Sequence, residues 1–257
     1  MRHPNVAALH DVLQHGRSHW LVMDYHAAGT LAAVLHGRRR LPPAIVAALG
    51  LQLLAALQAV HAAGVVHCDV KPANLLLGDD GRLTLIDFGI AAAGDDDPVP
   101  RDDPNVVVGS PAYMAPELVR GETPRPAADL WSLGATLYTA VEGRPPFPHG
   151  DPAPTLAAVL LDPPPTTRLA GPLRPLLNWL LVKDPAGRPS HDAIHTLLTA
   201  AQPTTPTHTP LPAYRTRTAS DPTEAATTRP WPSPTEHTSS IQRLARSYIG
   251  EDRPRDP

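Results

Sequence analysis

Cysteine, lysine and net charge are all scarce in this chain, and each scarcity excludes a class of protein. Cys68 is the only cysteine in 257 residues, so an internal disulfide framework is excluded and a reducing, cytoplasmic compartment is expected. A net charge of −3 gives no electrostatic basis for binding nucleic acid or an anionic membrane. Of 22 basic residues only Lys71 and Lys183 are lysine. Lysine at position 71 is therefore notable, because it provides a compact point charge in a chain whose usual cation is arginine.

Membrane and targeting signals are also missing from the sequence pattern. No run of about 18 apolar residues is evident, which predicts no membrane span. The N-terminus has no charged region followed by an apolar stretch, which predicts no signal peptide. Apolar residues still make up 42% of the chain, enough to bury a sizeable core in one or two domains.

The apolar pattern predicts short strands, longer helices and a tail. Two hairpins are expected from strands at 6–13 and 19–25 and at 75–77 and 83–86. Helical spacing predicts helices at 43–63, 126–142, 153–161, 172–182 and 190–201. From about residue 202 proline, threonine and serine dominate, and this composition predicts disorder.

Three short blocks of sequence carry acidic, basic and amide side chains of the kinds used in catalysis and metal binding. They are His67-Cys68-Asp69-Val70-Lys71-Pro72-Ala73-Asn74, then Asp87-Phe88-Gly89, then Ala115-Pro116-Glu117. In this order they resemble the catalytic loop, metal loop and activation-segment anchor of protein kinases. The resemblance covers roughly residues 2–200. It implies an α+β, protein kinase-like fold: a remnant of the small lobe with the start of the hinge at 1–25, a mostly helical large lobe at 26–201 and a disordered tail at 202–257.

The resemblance assigns the catalytic roles. Asp69 would accept the proton of the substrate hydroxyl, and Lys71 would neutralise charge on the transferred phosphoryl group. Asn74 and Asp87 would offer oxygen ligands to Mg²⁺, a hard cation. Phe88 would hold the metal loop inward. Their spacing is similar to that of serine/threonine kinases, which use ATP and act on protein substrates.

Other matches to the family concern the framework and the nucleotide pocket. Asp129 would cap the backbone of the catalytic loop that begins at His67, and Glu117 and Arg188 would form a partly buried ion pair. The segment 19–31 resembles the strand and hinge where adenine binds. The residues expected around the adenine ring are Met23, the backbone of Asp24 and His26, and Leu76 below the ring.

The activation segment departs from the usual pattern. Family members commonly carry arginine at position 68, where it grips a loop phosphate, but this chain has Cys68. The loop 90–108 contains no serine, threonine or tyrosine and is rich in aspartate. We therefore expect no switching by loop phosphorylation. Ser110 and Tyr113 follow this loop, and Ser110 is expected to contact Asp69 and Lys71 near the substrate.

The sequence before the first hairpin lacks a glycine-rich loop, a strand lysine and a regulatory-helix glutamate. The expectation is therefore a shortened version of a longer kinase, with a hairpin whose apolar face a partner covers. His10, His15 and His19 have no glutamate or cysteine at zinc-ligand spacing, so surface histidines are expected rather than a metal site.

Three functions remain open from the sequence. The first is a cytoplasmic serine/threonine protein kinase using Mg²⁺ and ATP. The second is a catalytically inactive, kinase-like binding module. The third is a small-molecule kinase, which the peptide-platform segment 109–117 disfavours because such enzymes generally lack it.

Overall fold

The protein is described by a computed structural model that covers residues 2–15, 18–26, 28–87, 110–147 and 150–202. The strands are β1 (Leu9–His15), β2 (Ser18–Met23), β3 (Gly29–Thr30), β4 (Leu75–Leu77) and β5 (Leu83–Leu85). The helices are α1 (Leu31–Arg38), α2 (Pro43–Ala62), α3 (Pro116–Val119), α4 (Pro126–Glu142), α5 (Pro152–Leu161), α6 (Arg174–Leu180) and α7 (His191–Ala200). Small antiparallel sheets beside a helical body confirm the expected α+β class.

Strands β1 and β2 form a hairpin that pairs with no third strand in the described part of the chain. The register joins Val12 to Leu21, with an irregularity between Leu9 and Asp11. Leu9 and Leu13 are each 51% exposed. A two-stranded ribbon cannot cover both of its faces, so these apolar side chains stay in solvent.

The first strand begins three residues later than the sequence predicts, because the preceding segment pairs elsewhere. Val6 bridges to Leu85 of β5, and the Ala7 amide donates to the Leu85 carbonyl at 2.9 Å. Asn5 extends this contact: its side-chain nitrogen donates to the Leu83 carbonyl at 2.7 Å and to Gln52 Oε1 at 3.0 Å. The N-terminal segment is therefore tied to β5 and α2 of the helical body.

Helix α2 supplies the centre of the core. Its 18-residue window has a mean hydropathy of 1.9, so by length and composition alone it could cross a membrane. The expectation that no such run exists is therefore wrong. Half of that window is buried inside the domain, where α2 packs against α4 and α7. Burial in the core accounts for this apolarity, since core helices pass the same test.

Helix α4 carries Asp129 and is buried from Ala128 to Val141. It begins at Pro126 and ends at Glu142, with Gly143 directly after it, as the sequence predicts. Gly143 has a left-handed φ of 79°, and a Cβ there would lie 2.6 Å from the Arg39 carbonyl. A side chain at 143 would therefore be both strained and obstructed.

Helix α1 and strand β3 are elements that the sequence analysis missed. The side chain of Thr30 caps α1 by accepting from the Ala33 amide at 3.1 Å. The helix has eight residues, of which only Leu31 and Val34 are buried. Two buried positions are too few to show a helical period in the sequence. The cap at Thr30 was the available signal. The boundaries at 25 and 201 stay predictions, and residues 203–257 lie outside the described part.

Candidate active site

The catalytic-loop block lies between α2 and β4, and α4 anchors its backbone. The fully buried carboxylate of Asp129 accepts from the amide of His67 through Oδ2 and from that of Cys68 through Oδ1, both at 2.8 Å. Cys68 has a left-handed φ of 64°, a conformation that costs a non-glycine residue about 1–3 kcal/mol. The Asp129 contacts hold the loop in this strained shape, as the sequence predicts for a backbone cap.

His67 links the loop to Ile86, which lies between β5 and Asp87. Its Nε2 lies 3.1 Å from the Ile86 carbonyl, and the Asp69 amide lies 3.3 Å from its Nδ1. One neutral tautomer, with the proton on Nε2, satisfies both contacts. Burial lowers the pKa of His67 and so favours this neutral form.

Asp69, Lys71 and Asn74 meet at one carboxylate oxygen. Lys71 Nζ lies 2.6 Å from Asp69 Oδ2, and Asn74 Nδ2 donates to the same oxygen at 2.9 Å. Asn74 Nδ2 also donates to the Asp69 main-chain carbonyl at 2.9 Å. No described residue bonds Asp69 Oδ1, so that oxygen is available to a substrate. The structure thus brings together three residues that the sequence assigned to catalysis and metal binding.

The two candidate metal ligands lie at the same end of the β4–β5 hairpin. The Ile86 amide donates to the Asn74 carbonyl at 3.0 Å, which places Asp87 beside Asn74. Because Asn74 Nδ2 is held by Asp69, the Asn74 side-chain oxygen faces away from that contact. Asp87 has a left-handed φ of 54°, and no described residue bonds its carboxylate. Two available oxygen donors fit a hard divalent cation.

A polar pocket lies between the hinge segment and the β4–β5 hairpin. It is lined by His26 and Ala28 on one side and by residues that include Leu76 and Thr84 on the other. The carbonyl of Asp24 and the amide of His26 bond no described residue, whereas the Asp24 amide donates to Ala8. His26 and Leu76 therefore share a pocket, whereas Met23, the last residue of β2, and Asp24 are not among the residues that line it.

The expected activation-segment anchor is held by the helical body. Both Glu117 oxygens accept from the Arg188 guanidinium, and both residues are buried. Ser132 of α4 donates to the Tyr113 carbonyl at 2.8 Å, and burial raises the pKa of the Tyr113 phenol. The Ser110 carbonyl accepts from the Tyr113 amide. The described residues show no bond from Ser110 to Asp69 or Lys71, so that contact stays a prediction.

The predictions for Phe88 and for the acidic loop 90–108 cannot be compared with the structure, because both lie outside the described residues. Cys68 is described, and burial, with help from Asp129 and Asp69, raises its thiol pKa to about 12. A thiol with so high a pKa is a poor nucleophile, which fits a filler rather than a redox sensor.

The sequence analysis missed His61, which shares the carboxylate of Asp129. His61 Nε2 lies 2.7 Å from Asp129 Oδ2, and the two side chains are 8% and 0% exposed. The contact spans 68 residues of sequence, so no local motif marks it.

In the part of the chain that the structure describes, no three His, Cys, Asp or Glu side chains form a group able to hold a metal ion.

Comparison with known proteins agrees with this geometry. The family model of the protein kinase domain matches residues 1–199. Serine/threonine-protein kinase PknA of Mycobacterium tuberculosis is 38% identical over 225 residues, covering 82% of this chain and 52% of the relative. RUNKEL of Arabidopsis thaliana is 35% identical (73% and 14% covered), and ULK3 of Mus musculus is 36% identical (73% and 40% covered). The chain thus spans about half of these relatives, or less.

Proposed function

The chain belongs to the protein kinase domain family, and we propose that it transfers the γ-phosphoryl group of ATP to serine and threonine hydroxyls of proteins. One observation carries the proposal. The Asp69 carboxylate has one oxygen held by Lys71 and Asn74 and the other left open. Phosphoryl transfer needs such positioning and charge neutralisation more than covalent help.

In this proposal Asp69 orients the nucleophile. A substrate hydroxyl donates to Asp69 Oδ1 and passes its proton there as the phosphoryl group is transferred. Lys71, 2.6 Å from Oδ2, places a positive charge beside the reacting oxygen atoms. Asn74 fixes the carboxylate plane through its two bonds to Asp69, which keeps Oδ1 directed at the substrate.

Asn74 and Asp87 are proposed to hold the divalent cation, with Mg²⁺ as the preferred ion because both ligands are oxygen atoms. When bound, the ion would neutralise charge on the nucleotide phosphates. The left-handed backbone of Asp87 sets the direction of its carboxylate. His67 supports that position by bonding the carbonyl of Ile86, the residue before Asp87.

Adenine is proposed to lie against Met23 and Leu76, with its polar edge toward the backbone of Asp24 and His26. The pocket shared by His26 and Leu76 supports this placement, as do the unengaged Asp24 carbonyl and His26 amide. Ser110 and Tyr113 would border the protein substrate. A cytoplasmic setting is proposed because a chain with one cysteine forms no internal disulfide.

The test compares Asp69→Asn with Asp79→Asn in the protein as its own cell makes it. Transfer of labelled γ-phosphate to a serine-rich protein and binding of a fluorescent ATP analogue are measured together. Asp69→Asn should lower kcat by about 10²–10⁴-fold, the usual contribution of a general base, while nucleotide binding is retained. Asp79, an exposed residue of the β4–β5 turn, lies outside the lining of the proposed adenine pocket and serves as the matched control. Equal transfer by Asp69→Asn would remove that residue from the proposed role.

A kinase-like binding module is the second candidate, and the exposed leucines of the β1–β2 hairpin favour it. In that case the unaltered protein would bind a partner through the hairpin and transfer no phosphate. Leu13→Asp would then abolish partner binding, whereas Asp69→Asn would leave it intact. A partner on this face stays a prediction.

A further inference from the structure

The carboxylate of Asp129 serves two elements at once. It accepts from the backbone of the catalytic loop at His67 and Cys68, and it accepts from the His61 side chain at the last turn of α2. A carboxylate held from both sides keeps one orientation, because a shift toward either partner weakens the bond to the other. The position of His61 therefore bears on the start of the catalytic loop.

His61 is in turn packed against a second histidine. The ring of His191, the first residue of α7, meets the ring of His61 edge to face, with centroids 5.5 Å apart and planes at 71°. Nδ1 of His61 and Nε2 of His191 are both buried and have no hydrogen-bond partner among the described residues. A buried unsatisfied polar atom costs about 1–3 kcal/mol, so an apolar ring would pack here at lower cost. Titration is a role that an apolar ring could not fill.

The charges around this contact are few. On α4, Asp129 bonds His61, and on α7 Asp192 acts on His191. Strand β5 and the turn Gly171–Leu173 also pack against α2 and carry no titratable side chain, whereas α6, which packs against α7, carries Arg174. The exposed Asp192 is screened by solvent and compensates a charge on His191 only weakly. A proton on His191 is therefore poorly compensated.

We propose that His61 and His191 form a proton-sensitive contact that positions the catalytic loop: His61 acts through Asp129 as a positioning residue, and protonation of His191 separates α7 from α2 and loosens the loop. The proposal rests on the proposed function only for its effect on phosphoryl transfer. The loosening itself is a property of the fold and can be measured without turnover.

The direction of the effect follows from the surroundings of His191. Burial, and then the neighbouring His61, lower the pKa of His191 below its usual value. Because the pKa of His191 is lower in the closed contact than in the open form, the open form binds more protons. The closed contact is therefore lost as pH falls through about 6.5 and below. Acidification should therefore expose the amides that Asp129 holds.

Hydrogen exchange of the complete protein tests this at the amides of His67 and Cys68. After correction for intrinsic rates, their protection should fall about tenfold from pH 7.5 to 5.5 in the unaltered protein. In His191→Phe, which keeps an aromatic edge but cannot titrate, the fall should be less than about twofold. His195→Phe alters an exposed histidine one turn along α7 and should behave like the unaltered protein.

A fall in protection that persists in His191→Phe would overturn the proposal, because another group such as His67 would then be the sensor. Constant protection in the unaltered protein would overturn it too. If His191→Phe does not fold, the ring protons of His191 are titrated by NMR in the unaltered protein and in His61→Gln. The titration midpoint of His191 should rise in His61→Gln, because the neighbouring His61 lowers the pKa of His191, and an unchanged midpoint would refute the contact. Phosphoryl transfer, measured alongside, should follow the same pH profile if the proposed function holds.

Discussion

The guanidinium of Arg188 grips the carboxylate of Glu117 with two hydrogen bonds, of 2.6 Å from Nη1 to Oε1 and 2.8 Å from Nη2 to Oε2. Its remaining N–H groups donate to main-chain carbonyls of Ala127, Val182 and Lys183. The pair thereby joins α3 to the start of α4 and to the loop before α7. Because every guanidinium donor has an acceptor, the buried charge is fully compensated.

Removing the charge of Glu117 should be severely destabilising. Glu117→Gln leaves the Arg188 guanidinium buried without a counter-charge, and such a loss costs about 3–5 kcal/mol. Urea unfolding measures the change in free energy. Glu122→Gln provides the control, since Glu122 pairs with Arg120 at the surface and should change stability by about 0–1 kcal/mol. Similar losses in both variants would contradict the assigned role.

Gln52 should stabilise the junction between the N-terminal segment and the helical body. Its Oε1 accepts from Asn5 and from the Leu83 amide, and its Nε2 donates to the Gly81 carbonyl. Gln52→Ala should lower the free energy of unfolding by about 1–3 kcal/mol, because these polar groups lose their partner. Gln58→Ala, an exposed position on the same helix, should stay within about 0.5 kcal/mol. Thermal unfolding of both variants distinguishes the two positions.

Lys183 should make stability rise with pH in the alkaline range. Its Nζ lies 4.1 Å from the Phe147 ring centroid, with carbonyls at the end of α5 as acceptors. Burial lowers its pKa from 10.5 to about 8, so between these values the unfolded chain binds more protons and stability rises with pH.

Urea unfolding of the unaltered protein and of Lys183→Met between pH 7.5 and 9.5 measures this contribution as the difference between the two curves. Lys183→Arg keeps a cation that does not titrate there. It should therefore also lack the rise. A rise of equal size in all three proteins would assign it to another group.

Activity should not depend on phosphorylation of the loop 90–108, which has no serine, threonine or tyrosine. Phosphatase treatment should therefore leave phosphoryl transfer unchanged, and mass spectrometry after incubation with ATP should find no activating site there. Phosphatase-sensitive activity that returns with a phosphate in this loop would refute the prediction.

Local motifs were enough to predict much of the fold and of the candidate site. The long helices at 43–62 and 126–142 follow from apolar spacing, and their ends follow from Pro43, Pro126 and Gly143. Asp69, Lys71 and Asn74 lie within six residues of one another, so the backbone of a single loop brings them together. Short strands and α1 were displaced or missed because their boundaries depend on pairing and capping rather than on period.

The sequence by itself determined the family, the residues of the candidate site that share one loop, and the main helices, since each follows from a short stretch of chain. Only the tertiary structure decided which distant residues share a partner. Asp129 joins residues 62 and 68 positions away, and His191 reaches His61 only because α7 packs on α2. The apolarity of α2 is likewise explained by its burial in the core. Such contacts depend on how helices pack in three dimensions, and no local pattern of residues records that.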